Sequence, residues 1–308
     1  MRPTVSAVIV HFGSIDYTAQ VVRRLQSFAG PGECEIIVVD NAAETPFPGE
    51  DFPRARTLRL EENSGYGAAC NRGAAASQGR NIFILNNDLD FLEDPLAALL
   101  AELNAHPRCG AVGPALRFPD GRFQLSWGDD PILLSESRER RRQQESRGGG
   151  GEALRKRETD SRKARAVDWI TGACMLIPRA AWDAVGGFDE AYFFYFEDVD
   201  LCRRLRRAGY EIRYIPDAEV IHFGGGSSAP ADPRIMTWYR REQLRYYARY
   251  NSPLSFVLLK RYLLWKFARM RRSGAITGDD AARLRDMIRG FSRRRERSAF
   301  FATQRNMQ

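Results

Sequence analysis

The chain has 308 residues and carries 47 Lys/Arg against 39 Asp/Glu, a net charge of +8. That length suits one large α/β domain plus an appendage. The five cysteines (Cys34, Cys70, Cys109, Cys174, Cys202) form no CxxC pair, which argues against a disulfide framework and predicts reduced, mostly buried thiols in a cytoplasm.

Val5–Val10 predicts a strand at the outset, with no signal-peptide pattern before it. Tyr17–Phe28 has helical spacing of Val21, Val22, Leu25 and Phe28. Glu35–Val39 predicts a second strand, so two early strands finish in polar residues: His11, and Asp40 with Asn41. In an open α/β sheet, ligands lie outside the carboxyl ends of the strands. A loop over Ala42–Arg54 leads to a third strand, Arg56–Leu60. Then Glu62-Asn63-Ser64-Gly65-Tyr66-Gly67 opens a small-residue helix over Ala68–Ser77. Glycines and an Asn before a helix let backbone N–H groups approach a ligand near the positive helix end.

Ile82-Phe83-Ile84-Leu85 is an apolar run without alternation, which predicts a strand buried on both faces of a mostly parallel sheet. It stops at Asn86-Asn87-Asp88. A carboxylate at a strand end can hold a hard divalent cation against a phosphate, although a polar turn there is the plainer reading. Pro95–Asn104 predicts a helix and Ala111–Phe118 a strand, and this β–α alternation describes a doubly wound sheet. The segment 135–165 has eleven Lys/Arg, six Asp/Glu and four consecutive glycines, a composition that predicts a mobile charged excursion.

Strand-like Val167–Ile170 and Cys174–Ile177 flank Gly172-Ala173, and a short helix follows over Arg179–Val185. After five aromatics (Tyr192 to Phe196), Glu197 and Asp198 open a helix that runs to Gly209. Acids are ordinary at a helix start, but an aromatic run immediately before them is less so. Glu211–Ile215 and Glu219–Ile221 lead to His222 beside Gly224-Gly225-Gly226, where an imidazole can be a metal ligand or a plain surface group.

The tail is basic. From Arg234 to Gln308 nineteen Lys/Arg face five Asp/Glu, a surplus of +14 that leaves −6 for residues 1–233. Trp238–Tyr250 predicts a helix with Arg241, Arg245 and Arg249 along one side. Pro253–Met270 is apolar almost all round, without a clean stripe. No apolar run reaches the ~20 residues of a bilayer span. The tail is expected to meet something anionic, a membrane surface or a nucleic acid.

Seven motifs in order carry a family resemblance: VSAVIVHFG, VVDNA, ENSGYGAACNRG, ILNNDLDF, TGACMLIPR, GGFDEAYFFYFEDVDLCRRLRRAG and VIHFGGGS. Together they resemble inverting glycosyltransferases of family 2, and are similar to the rhamnosyltransferase branch. The resemblance implies a GT-A type α/β fold over residues 1–232, Rossmann-like with a mostly parallel sheet, and a C-terminal helical basic extension over 233–308. It implies that His11, Asp40, Asn41, Asn63, Gly65, Asn71, Asn86 and Asn87 line the nucleotide-sugar pocket. Asp88 and His222 would hold Mg²⁺ or Mn²⁺, Asp198, rather than its catalytic-site neighbour Glu197 or Asp200, would be the catalytic base, and Trp169, Gly172 and Ala173 would face the acceptor. Asn86 departs from the family's Asp-x-Asp pattern, offering a carbonyl oxygen but no charge.

The implied partners are a nucleoside-diphosphate sugar, with dTDP-L-rhamnose favoured, and a glycan or lipid-linked acceptor. The implied location is cytoplasmic, peripheral to the inner face of the cell membrane. Two rivals stand beside this reading. A nucleotidyltransferase would need a basic triphosphate-binding loop after the first strand, where His11-Phe12-Gly13-Ser14 supplies none. A nucleic-acid-binding protein would use the basic aromatic tail for phosphate contacts and base stacking.

Overall fold

A computed structural model describes residues 3–28, 33–132, 151–224 and 233–306. These divide into two compact units, one of residues 3–130, 151–193 and 197–224 and a second of 131–132, 194–196 and 233–306.

The first unit is built on one large sheet. Its central strands, β1 (Val5–His11), β2 (Cys34–Asp40), β3 (Ala55–Arg59) and β4 (Asn81–Asn86), lie in the order β3-β2-β1-β4 and are all parallel. The apolar runs are continuous because helices cover both faces. Ala7 and Ile9 enter one hydrophobic cluster, while Val8 and Val10 enter the other. A fully buried Val or Ile contributes roughly 1.5–3 kcal/mol relative to leaving it exposed. The helix Tyr66–Ala75 approaches this sheet closely at Gly73, where an added Cβ would come within 2.4 Å of Val8 Cγ1.

Beyond β4 the direction changes. Cys174–Pro178 is antiparallel to β4 and to Cys109–Arg117, and Glu211–His222 then runs parallel to Cys109–Arg117. The sheet is therefore mixed but mostly parallel, as the alternation predicts. The two strand segments expected at Glu211–Ile215 and Glu219–Ile221 are one strand, with an irregularity between Ile215 and Glu219. All five cysteines are free, and only Cys34 is partly exposed.

Residues 135–150 of the expected charged excursion lie outside the described residues. The rest is regular: Glu152–Asp160 is helical and Arg165–Val167 pairs with Tyr214, Arg213 and Ile212. Ser161 anchors it, accepting Trp127 Nε1–H at 2.9 Å while its carbonyl accepts the Tyr214 hydroxyl at 3.0 Å.

The second unit holds the helices Pro233–Tyr250, Pro253–Arg272, Gly278–Gly290 and Arg293–Asn306. Ser252 caps the second of them, its Oγ accepting from Ser255 N at 3.1 Å ahead of Pro253. Arg245 and Arg249, which recur along one side of the first of these helices, are both buried, Arg245 pairing with Glu242, and both with Glu296 at 3.0 and 2.8 Å. Two acids absorb charge that a linear count assigns to a partner. Among the described residues no helix is long and apolar enough to cross a membrane.

Candidate active site

The parallel register aligns the strand ends. His11 lies opposite Asp40, Asp40 opposite Arg59, and Val10 opposite Asn86, so one carboxyl edge gathers the polar residues that the sequence singles out. Along it they form separate groups.

The first surrounds Asp88. The short strand Leu89–Asp90 pairs with the end of Glu211–His222, placing His222 opposite Leu89. His222 Nε2 then lies 3.2 Å from Asp88 Oδ1 and 3.2 Å from the Asn86 amide. On the far side of the ring, His222 Nδ1 lies 3.0 Å from Gln124 Oε1. A glutamine oxygen accepting Nδ1–H selects the tautomer whose Nε2 lone pair faces Asp88. Gln124 carries no signal of its own, because its strand, Phe123–Gln124, is too short to show a pattern.

These residues fit a divalent cation. Asp88 is buried and offers a carboxylate and His222 an imidazole nitrogen, while the Asn86 amide, whose nitrogen faces His222 here, carries an oxygen that can also ligate. Among the described residues no three His, Cys, Asp or Glu side chains gather as a metal cage. A set this lean suits Mg²⁺ or Mn²⁺, which keep positions for waters and substrate phosphates.

The second group surrounds Asp198. Its Oδ2 accepts Gly172 N–H at 2.9 Å and its Oδ1 accepts Val199 N–H at 2.8 Å. Burial pushes the Asp198 carboxyl above its ordinary pKa of 3.8, and these backbone donors partly oppose the rise. Tyr66 lies beside it, donating its hydroxyl to Gly172 O at 2.8 Å; burial pushes that phenol well up and keeps it a donor. The next residue, Ala173, accepts the Asn86 N–H through its carbonyl at 2.8 Å. The backbone of Gly172-Ala173 thus touches Asp198 on one side and the strand end leading to Asp88 on the other.

Neighbouring acids do different work. Glu197 is buried. Asp200 is fully buried and pairs with Arg204 at 2.6 Å, and Arg204 also donates to the carbonyls of Val185 and Gly187.

The third group flanks β2. Asn41 donates to Asn63 Oδ1 at 3.0 Å and accepts Ser64 N–H at 3.0 Å, while Asn63 Oδ1 also accepts Gly65 N–H. Gly65 has φ +87°, and an added Cβ would lie 2.4 Å from Phe193 O, the atom that accepts Tyr66 N–H. Asp40 is buried and already engaged: it accepts Ala43 N–H, Phe47 N–H and an Arg59 guanidinium N–H at 2.6 Å. Arg59 remains about half exposed. Its alignment with Asp40 in adjacent strands was the available signal for it.

His11 and Asn87 form a fourth group through Thr18, which His11 Nδ1 approaches at 2.7 Å and Asn87 donates to at 3.1 Å. His11 is wholly buried, with Nε2 3.1 Å from Thr45 O. Asn71 stands apart, bonded to the backbone of Phe188 and to Glu190. Trp169 gives its indole N–H to Asp129 O.

Backbone strain marks the same places. The non-glycine residues with positive φ among the described residues are Ala42, Tyr195 and Phe196. The first follows Asp40 and Asn41, and the other two immediately precede Glu197 and Asp198. Each such residue costs on the order of 1–3 kcal/mol and tends to persist where function over-determines the backbone.

The mixed, mostly parallel sheet with its flanking helices is that of a GT-A glycosyltransferase fold. The sequence profile of Glycosyl transferase family 2 matches residues 6–180, and that of Glycosyltransferase like family 2 matches residues 152–248. An N-acetylglucosaminyl-diphospho-decaprenol L-rhamnosyltransferase of Mycobacterium tuberculosis is 30% identical over 285 residues, covering 88% of this chain and 89% of that one. In fold, the chain is similar to a mannosyltransferase from Pyrobaculum calidifontis solved with GDP-Man and Mn²⁺, with a TM-score of 0.56 and 17% identity over 92% of this chain and 79% of that one. It is likewise similar to GalNAc-T7 solved with UDP, GalNAc and Mn²⁺, with a TM-score of 0.56 and 15% identity over 80% of this chain and 50% of that one. The chain belongs to glycosyltransferase family 2 and to its rhamnosyltransferase branch. It is an enzyme that transfers a hexose, and the nucleotidyltransferase and nucleic-acid readings give way to that assignment.

Proposed function

We propose that the chain moves L-rhamnose from dTDP-L-rhamnose to a hydroxyl of a lipid-linked glycan, with inversion at the anomeric carbon. One observation carries the mechanism. Gly172-Ala173 joins the Asp198 carboxylate to the strand end that leads to Asp88, which supports a sugar bound with one acid on each side. The preference for rhamnose and for a lipid-linked acceptor rests on the named activity of the mycobacterial relative, which matches nearly the whole chain.

In this reading Asp198 takes the proton of the acceptor hydroxyl as its oxygen attacks the anomeric carbon. The new C–O bond forms while the bond to the phosphate oxygen breaks, and the electron pair leaves with the nucleoside diphosphate. Burial makes Asp198 a stronger base than an exposed carboxylate, and the two backbone donors orient it. Asp88, His222 and Asn86 would hold Mg²⁺ or Mn²⁺, which would neutralise charge on the departing diphosphate. Gln124 fixes the His222 ring. Asn41, Asn63 and Gly65 shape the nucleotide pocket, and Asp40 steadies Arg59 and the Ala43–Phe47 loop at its edge. His11 and Asn87 brace that wall through Thr18, and Gly172 and Ala173 border the acceptor.

The acceptor's lipid and the tail's +14 charge fit an enzyme at the inner face of the cell membrane, attached by residues 233–308. The test is a donor screen. Purified enzyme with a polyprenyl-diphosphate-linked N-acetylglucosamine should release nucleotide fastest from dTDP-L-rhamnose. Faster release from a UDP- or GDP-sugar contradicts the donor assignment.

A further inference from the structure

We propose that the outward face of the helix Pro253–Arg272 is a lipid-docking surface that lies in the plane of an anionic membrane. The proposal deepens the membrane-apposed reading above and rests on it, adding which side of which helix meets lipid.

The helix has two apolar stripes. Phe256, Leu259, Leu263 and Phe267 recur at helical spacing, are buried, and provide the packing against the other helices of the second unit. A separate stripe points to solvent: Leu254 is 67% exposed, Val257 50%, Leu258 45%, Tyr262 41% and Trp265 53%. The positions 254, 258, 262, 265 and 269 follow one another at four, four, three and four residues, the spacing of a single helical face. Arg269 ends that face with its guanidinium 5.7 Å from the Trp265 ring centroid, and Tyr262 packs 6.2 Å from the same indole. Five exposed large apolar side chains gathered on one helical face, with the exposed Arg261 and Arg269 set among them, indicate a partner.

Charge chooses that partner. The helix carries Lys260, Arg261, Lys266, Arg269, Arg271 and Arg272 and no Asp or Glu at all. Leu, Trp and Tyr on one face with a basic rim match helices that sink into the headgroup–acyl boundary of anionic bilayers. Long basic stems can lie along the apolar surface while their heads stay at the phosphate level. A second copy of the chain fits poorly, because a two-fold contact sets the same patch against itself and would oppose cations with no acid between them.

The full chain is sedimented with vesicles of phosphatidylcholine alone and with an equal part of phosphatidylglycerol. Binding is expected only to the anionic vesicles, and Leu258→Ser with Trp265→Ser should weaken it by about tenfold or more while leaving every cation in place. Turnover on a water-soluble acceptor should stay unchanged. If the wild type binds and the double variant binds equally well, this face is not the contact and the inference falls alone. If the wild type binds neither vesicle, the membrane-apposed reading falls with it. A lipid-free dimer that the double variant splits assigns the face to a second copy and also overturns the inference. Brominated acyl chains give an independent reading: they should quench wild-type fluorescence more than that of Trp265→Phe, and equal quenching would contradict the proposal.

Discussion

Asp198, the proposed base, sits in an environment that pulls in two directions, and this gives a pH prediction with a definite sign. Its folded pKa is raised by burial, so between the unfolded and folded values the native state holds more protons than the unfolded one. The stability associated with this group is present below the unfolded value and is lost as pH rises through the folded one. Turnover must behave oppositely, falling as pH drops and the carboxylate protonates. Asp198→Asn should flatten that stability slope, retain donor affinity by calorimetry and lose about 10²–10⁴-fold in turnover. Gln124 gives a second residue-scale test. Gln124→Leu should weaken Mn²⁺ binding, followed by electron paramagnetic resonance, by about 10–100-fold, as loss of an outer partner of a ligating histidine does. Unchanged Mn²⁺ affinity would show that the Gln124–His222 contact does not orient the ring. The motifs made Asp88, His222 and Asp198 legible, since strand ends and helix starts can be read from apolar runs. Gln124 was not legible, because it meets His222 from 98 positions away in the chain.

At the scale of elements, the helix Glu197–Arg207 is held by a buried pair rather than by its dipole alone. Arg204→Met leaves Asp200 charged and uncompensated, along with the carbonyls of Val185 and Gly187. Breaking such a pair costs about 3–5 kcal/mol, so a urea titration should show this variant far less stable than Asp198→Asn. Gly65→Ala meets both a left-handed backbone and the Phe193 carbonyl 2.4 Å away. It should lower the melting temperature and donor affinity together, because the Gly65 turn is part of the Asn41–Asn63 network. Unbroken apolar runs identified the parallel strands from sequence, and Gly after Asn identified the turn. Two things escaped it. Glu296 lies 51 and 47 residues beyond Arg245 and Arg249, so their pairing had no local sign. Periodicity also cannot tell which of two apolar stripes on Pro253–Arg272 is covered and which faces out.

For the whole molecule, an acidic-leaning catalytic unit and a strongly basic tail are the division already visible in the charge count. Pairing of Arg245 and Arg249 with Glu242 and Glu296 removes some of the tail's charge from outside view, so vesicle binding should weaken with salt less steeply than nineteen exposed cations would imply. Chelation by EDTA should abolish transfer, with Mn²⁺ or Mg²⁺ restoring it; full activity in excess EDTA would remove the cation from the account. The most direct measurement of the central claim is the anomeric configuration of the product. Enzyme, dTDP-L-rhamnose and the lipid-linked acceptor should give, by nuclear magnetic resonance, a glycoside inverted relative to the donor, and Asp198→Asn should give almost none. A product with the donor's configuration retained would contradict single displacement with Asp198 as base.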